Sequence, residues 1–343
     1  MRFVTIFQMR ALIIGGTRNL GPSIVQALLE RGYDLTVFNR GLTTDDLPQQ
    51  VLRVHGDRSE PSQLKTTLQA GDFELIVDTT LYNGAEAQAV VELFSGHVGC
   101  YIFLSTGQVY LVRVGLERPF KEQDYSGPVM PEPSRRNDSE YQNWLYGYEK
   151  RQAEDVFSSA WNESRFPCTS LRLPMVNSAR DHYHRIYNYI RRIQDGGPIL
   201  IPEGPGLPIR HVHGEDVVQA ITQIAQTETG KGSAYNIGQD ETVSIDDFLQ
   251  LLATLLQKPL NILRVPRAKL ERAGLLPQCS PFSGAWMSSL DNTLSKTELG
   301  IRYTPFHAYL EELVEFFARS APQEIEGYGR RQDELILAAE LVS

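Results

Sequence analysis

A glycine string set between an apolar run and an amphipathic stretch constrains this chain more than any other feature. Ala11 to Ile14 is apolar, Gly15-Gly16-Thr17-Arg18-Asn19-Leu20-Gly21 follows, and Ile24, Val25, Leu28 and Leu29 then recur at helical spacing up to Gly32. That order reads as strand, tight turn, helix. Glycines there let the backbone approach an anion closely, and the start of the helix offers free N–H groups and a positive dipole. A glycine string alone is weak evidence, but here the strand before it and the helix after it agree. The turn suits a pyrophosphate and makes Gly15, Thr17, Arg18, Asn19, Leu20 and Gly21 candidate cofactor contacts.

The rest of the first half repeats the alternation. Leu35 to Phe38, Val51 to Val54, Leu75 to Val77 and Tyr101 to Leu104 read as strands, with helical patterns at Gln63 to Leu68 and Ala85 to Phe94. Strands that alternate with helices imply βαβ units, right-handed crossovers and a doubly wound parallel sheet of the Rossmann kind. Glu117 to Asn143, with Pro119, Pro128, Pro131 and Pro133, reads as a long surface loop, and helix resumes around Leu145 to Ala160. Cys168 to Leu173 is a further strand. Strands near Ile199 and Tyr235 and helices near Val217 to Ala225, Ile245 to Leu256 and Ala308 to Phe317 follow. The division expected is a dinucleotide-binding domain over 1–176, to which 207–243 returns. A smaller α/β substrate-binding cap takes 177–206 and 244–343.

Composition narrows the function classes. The chain has 343 residues, 41% hydrophobic and 22% charged, as ordinary globular proteins do. A diffuse net charge of -9 gives no electrostatic footprint for nucleic acid or an anionic membrane. No apolar run approaches a membrane span. The three cysteines, Cys100, Cys168 and Cys279, form no disulfide framework or zinc spacing, and the cytoplasm is the expected compartment. Met1 to Gln8 reads as a dispensable extension. His211 and His213 alternate on a strand beside Glu215 and Asp216, but no third cluster accompanies them, so no metal site is expected.

Two further groups carry chemistry. Sites for NAD usually place an acid at the end of the second strand to hold the ribose 2′-hydroxyl. This chain has Asn39-Arg40 there, with Arg18 in the turn. Guanidinium groups suit a 2′-phosphate, so NADP is favoured over NAD. Asp57, after the third strand, reads either as an adenine-side contact or as a helix cap. Tyr146 and Lys150 are four residues apart on one helix face, and Thr106 ends the fifth strand, where ligands of open parallel sheets bind. A phenol of ordinary pKa about 10 needs a neighbouring cation to exchange protons near neutrality. Tyr146 is therefore read as acid/base, Lys150 as the group that lowers its pKa, and Thr106 as the holder of the substrate oxygen.

Ile14 to Gly21, Leu104-Ser105-Thr106-Gly107-Gln108-Val109-Tyr110 and Tyr146 to Glu154 together resemble the extended short-chain dehydrogenase/reductases, the NAD-dependent epimerase/dehydratase family. Leu171 to Pro174, His211 to Val217 and Ala234 to Gly238 continue the resemblance, so it covers nearly the whole chain in order. Arg18 stands where the family turn has its middle glycine. That start looks like an atypical branch which includes the chloroplast stem-loop-binding proteins. Gly107-Gln108 replaces the Asp-Glu pair of nucleotide-sugar dehydratases, which argues against that reaction. Ser178-Ala179 stands where a Gly-Pro step is usual.

The resemblance implies further cofactor contacts at Arg58, Thr79, Thr80 and Pro174, and substrate contacts at Tyr82, Asn177, Arg180 and Arg210. It implies an NAD(P)-dependent oxidoreductase that moves hydride at a carbonyl or alcohol carbon. The alternatives are a nucleotide-sugar epimerase that keeps NAD bound, or a non-catalytic nucleotide- or RNA-binding relative. A small-molecule substrate is expected, with sugar nucleotide, polyketide-like ketone and small aldehyde all open. Family members often form homodimers.

Overall fold

The computed structural model describes residues 9–68, 71–134, 139–204, 206–322 and 325–342. Met1 to Gln8, and positions 135–138 of the Pro-rich stretch, lie outside the described residues. The strands are β1 (Arg10–Ile14), β2 (Asp34–Asn39), β3 (Leu52–His55), β4 (Phe73–Asp78), β5 (Val98–Thr106), β6 (Cys168–Leu173), β7 (Val176–Asn177), β8 (Ile199–Pro202), β9 (Val212–His213), β10 (Ala234–Asn236) and β11 (Ile262–Val265). The helices are α1 (Gly21–Glu30), α2 (Pro61–Leu68), α3 (Gly84–Phe94), α4 (Gln108–Leu111), α5 (Ser139–Ser164) and α6 (Arg185–Asp195). They continue with α7 (Gly214–Thr227), α8 (Ile245–Leu255), α9 (Arg267–Arg272), α10 (Thr293–Glu298), α11 (Phe306–Arg319) and α12 (Arg331–Val342).

Seven strands form one parallel sheet in the order β10-β6-β5-β4-β1-β2-β3. The order reverses between β1 and β4, which is the doubly wound arrangement expected from the alternation of strands and helices. Burial explains why these runs are strands. β6 is buried at every position and β1 and β4 at nearly every one, as strands covered by helices on both faces must be. Register aligns the carboxyl ends. Ile14 pairs with Phe38 on one side and Asp78 on the other, Asp78 pairs with Phe103, and Thr106 pairs with Leu173. Leu12, Ile14, Phe38, Ile76, Val90, Phe94, Tyr101, Phe103 and Phe157 lie in the core that holds α2, α3 and α5 to this sheet.

The chain divides into two compact units. The first is Met1–Pro174, Gly214–Ile237 and Leu290–Arg302, and the second is Met175–His213, Gly238–Ser289 and Tyr303–Ser343. The returning segment is therefore shorter than 207–243. Residues 207–213 and 238–243 stay in the second unit because Ile209 bridges Val243 and Val212 pairs with Val176. A later return, 290–302, escaped the sequence reading. It is held by the Phe120–Leu290 bridge and by the Tyr235 hydroxyl, which donates to Glu298 Oε2 at 2.8 Å.

The Pro-rich stretch also differs from a plain loop. Residues 122–125 form a 3-10 turn, and α5 starts at Ser139, two turns before Tyr146. Tyr141, Trp144 and Tyr148 stack along one side of α5, with Trp144 and Tyr148 ring centres 4.8 Å apart. That aromatic spacing is the helical signal that the prolines obscured.

The second unit packs α6, α8 and α11 around Tyr189, Ile190, Phe248, Leu249, Phe306 and Leu310. Arg192 on α6 is fully buried and reaches α12 by donating to both oxygens of Glu334, at 3.0 and 2.5 Å.

Candidate functional site

The glycine turn sits at the carboxyl end of β1, beside the reversal in strand order. Gly15 and Gly16 have φ of 98° and 83°, in the left-handed region that side chains avoid. A Cβ on Gly15 would stand 2.1 Å from Thr79 Oγ1 and 2.7 Å from Thr80 Cγ2, and one on Gly21 would stand 2.3 Å from the Gly16 carbonyl carbon. The turn is therefore wound more tightly than any side chain allows. Thr79 closes its far side, with backbone N–H and hydroxyl both donating to Ile14 O, at 3.0 and 2.9 Å. Leu20 caps α1 without a side-chain hydrogen bond, the first turn holds no acid, and Pro22 removes one donor at a place where it is not needed. Thr17, Arg18 and Asn19 lie on the outer side of the turn, with Arg18 and Asn19 exposed. An uncapped ten-residue helix behind a glycine cradle has the chemistry of a pyrophosphate site.

At the end of β2, Asn39 Oδ1 accepts from Gly41 N at 2.7 Å, whereas its buried Nδ2 has no partner. A spare amide donor, rather than a carboxylate, therefore occupies the position next to the turn. Arg40 is exposed beside it. Asp57 closes a turn by accepting from Ser59 N and Oγ at 2.9 and 2.7 Å. Those bonds, and then Arg40, hold its carboxyl below the usual range. Arg58 turns inward and pairs with Asp78 at 2.5 Å.

The side that carries Tyr146 and Lys150 is built by α5 lying on β5. Gly147 lets α5 approach α4 closely, since a Cβ there would meet Gln108 O at 2.6 Å. Lys150 is buried, and its Nζ donates to Leu104 O at 2.8 Å. Nζ lies 4.7 Å from the Phe103 ring centre, 5.1 Å from that of Tyr82 and 5.9 Å from that of Tyr146. Tyr82 and Tyr146 face one another at 6.2 Å. Burial pushes the Lys150 ammonium down to about 7, against the pull of Asp78. Thr106 ends β5 as a buried residue and accepts from Gln108 N at 3.2 Å, while Gly107 N is tied to Leu173 O one residue before Pro174. Gln108 keeps a buried Oε1 with no partner. Ser105 donates to Glu154 at 2.5 Å, and Glu154 forms a buried pair with Arg172 at 2.6 Å.

Other expected residues fall in the second unit. Asn177 is buried, and its amide contacts Tyr309 Oη at 3.2 Å and His211 Nδ1 at 3.3 Å. Arg210 Nε donates to Gln239 O at 3.0 Å, and Arg180 is exposed. His211 is buried edge-on to Phe282, and desolvation pulls it down to about 3. The sequence reading missed Asp78. Its signal was an acid ending the otherwise apolar core of β4.

The strand order and the glycine turn define a Rossmann-type α/β protein. The model of the NAD dependent epimerase/dehydratase family matches residues 11–238, and the chain belongs to that family. It is similar to the chloroplast stem-loop binding protein of 41 kDa b from Arabidopsis thaliana, at 25% identity over 261 residues, 71% of this chain and 62% of that protein. It is also similar to the 2'-dehydrokanamycin reductase of Streptomyces kanamyceticus, at 20% identity over 262 residues, 75% of this chain and 70% of that one. The chain thus spans less than two thirds of the chloroplast relative's length. Among solved structures, a UDP-glucose 4-epimerase with UDP-glucose from Thermotoga maritima shares the fold. Its TM-score is 0.72, at 19% identity over 92% of this chain and 100% of that one. No helix among the described residues is long and apolar enough to cross a membrane.

Proposed function

We propose that this protein is an oxidoreductase that prefers NADP(H) and interconverts a carbonyl and an alcohol on a small molecule. The observation that carries the reading is the buried ammonium of Lys150, placed 5.9 Å from the Tyr146 ring at the carboxyl edge of the sheet. A positive charge held close to the Tyr146 ring favours the phenolate over the phenol. Tyr146 passes its proton to the substrate oxygen in reduction and takes it back in oxidation. Thr106, fixed by the α4 turn, holds that oxygen in line.

The residues present fit a dinucleotide. Gly15, Gly16 and Gly21 permit a turn in which Cβ atoms would collide with Thr79, Ile13 and the Gly16 backbone, and Asn39 Nδ2 is an unused donor beside that turn. The backbone of Gly15 and of Thr17 to Gly21 would hold the pyrophosphate. Asn39 and Arg40, with Arg18, would hold the adenosine ribose and its 2′-phosphate, and Lys150 and Pro174 would flank the nicotinamide ribose. When bound, the dinucleotide supplies or accepts the hydride. An amide and a guanidinium at the end of β2, where a carboxylate would read a free 2′-hydroxyl, support NADP over NAD. Similarity to a reductase supports reduction.

Similarity in fold to a sugar-nucleotide epimerase favours a second reading, in which NAD stays bound and is recycled. Mass spectrometry of a denatured extract separates the two. NADP or no nucleotide is expected, and stoichiometric NAD would overturn the preference. Substrate screening with each cofactor then tests the activity, and Tyr146→Phe is expected to lower turnover by roughly 10²–10⁴-fold.

A further inference from the structure

The turn between β3 and α2 carries Arg58, expected as a cofactor contact, whose guanidinium lies against two carboxylates. The Arg58 side chain is only 10% exposed. Its Nη1 donates to both oxygens of Asp78, at 2.5 and 2.6 Å, and its Nε lies 3.3 Å from Glu86 Oε2. Each of those carboxylates also holds the backbone of the segment between them. Asp78 Oδ1 accepts from Thr80 N at 3.0 Å, and Glu86 Oε2 accepts from Tyr82 N at 2.8 Å. Tyr101 closes the fully buried Asp78 from β5, donating its hydroxyl to Oδ2 at 2.6 Å. Arg58 thus ties both ends of the stretch from Asp78 to Tyr82.

That stretch serves both halves of the site. Thr79 and Thr80 are the wall against which Gly15 is pressed. Tyr82 lays its ring over Lys150 Nζ at 5.1 Å and beside Tyr146 at 6.2 Å. We propose that Arg58 is a positioning residue which, by bridging Asp78 and Glu86, fixes at once the wall of the glycine turn and the aromatic cover over Tyr146 and Lys150. The functional consequence rests on the acid–base reading of those two residues. Nη1 hydrogen-bonds Asp78 while Nε stands at ion-pair distance from Glu86 without a hydrogen bond, a span that the single compact charge of a lysine does not reproduce. The charged and titratable groups that face Lys150 are Asp78 from β4, Glu86 from α3, Arg58 and Tyr82 from their turns, and Glu154 and Tyr146 from its own helix. Three of the six, Asp78, Glu86 and Arg58, belong to the bridge, so a shift of the bridge changes what Lys150 senses.

The test follows the ε-carbon of Lys150 by NMR in ¹³C-lysine-labelled protein, across pH, and identifies the signal by its absence in Lys150→Met. This readout needs neither substrate nor cofactor. Arg58→Lys is expected to move the Lys150 titration and to lower turnover roughly 10–100-fold, the scale of a misplaced catalytic group. Glu86→Gln, at a carboxylate on the outer side of the bridge, is expected to move the titration to lower pH, because an anion that favours the ammonium is gone. It carries the test if Arg58→Lys does not fold. An unmoved Lys150 titration in either folded variant overturns the proposal, even where turnover falls. If the titrations move as expected while Tyr146→Phe keeps full turnover, the bridge stands and the acid–base reading fails.

Discussion

Replacing Lys150 by methionine should make the protein more stable at neutral pH, even as it removes the proposed reaction. Burial lowers the ammonium to about 7, from an ordinary value of 10.5. The unfolded chain therefore binds more protons than the folded one between those values, and stability rises with pH across that window. Put the other way, the buried ammonium destabilises the fold fully below pH 7, and the penalty fades as pH approaches 10.5. The span of about 3.5 pH units corresponds to roughly 5 kcal/mol, of which about 4 remains at pH 7 and about 1 at pH 10. Methionine fills a similar volume but leaves Leu104 O without the donor it has at 2.8 Å, a loss of about 1–3 kcal/mol. The net expectation is a gain of ~1–3 kcal/mol at pH 7 that vanishes or reverses by pH 10. Urea unfolding of wild type and Lys150→Met at both pH values measures it. A gain of equal size at the two pH values, or a variant less stable than wild type at pH 7, would show that the amine is not desolvated as described.

Three other perturbations follow from the same structure. Arg40→Ala should weaken NADPH more than NADH in a fluorescence titration, and equal effects would remove the 2′-phosphate from its role. Gly21→Ala should abolish dinucleotide binding, because its Cβ would stand 2.3 Å from the Gly16 carbonyl carbon, and calorimetric titration checks it. Glu334→Ala strands the fully buried Arg192 and should cost about 3–5 kcal/mol, read from the shift in urea midpoint.

The parts of the fold written in local pattern could be read before the structure. The apolar runs at Ala11, Leu35, Leu75, Tyr101 and Cys168 became parallel strands because each is covered on both faces, and burial of that kind leaves its mark in composition. The glycine turn was legible for a similar reason, since positive φ and close approach leave few residues to choose from. What was not legible depends on partners distant in sequence. Helix α6 carries Ile186, Tyr189, Ile190 and Ile193 on its buried side, but its arginines hid that pattern, and Arg192 is buried only because Glu334 meets it 142 residues later. The return of 290–302 rests on single contacts to Phe120 and Tyr235 that no periodicity announces.

The same holds at the site. Tyr146 and Lys150 share a helix face by spacing alone, so their pairing could be stated in advance. Asp78 gains its role from Arg58 in the turn after β3 and Tyr101 on β5, both distant in sequence. Asn177 looked available on its strand, yet the fold hands its amide to Tyr309 and His211.

The proposed reaction requires a dinucleotide that reaches from the turn at Gly15 to the amine of Lys150. Adding NADP to ¹³C-lysine-labelled wild-type protein, with the Lys150 signal assigned through Lys150→Met, asks this directly. A saturable shift of that signal is expected at the concentration where cofactor fluorescence reports binding. A Lys150 signal that stays in place while the protein is saturated with NADP would contradict it.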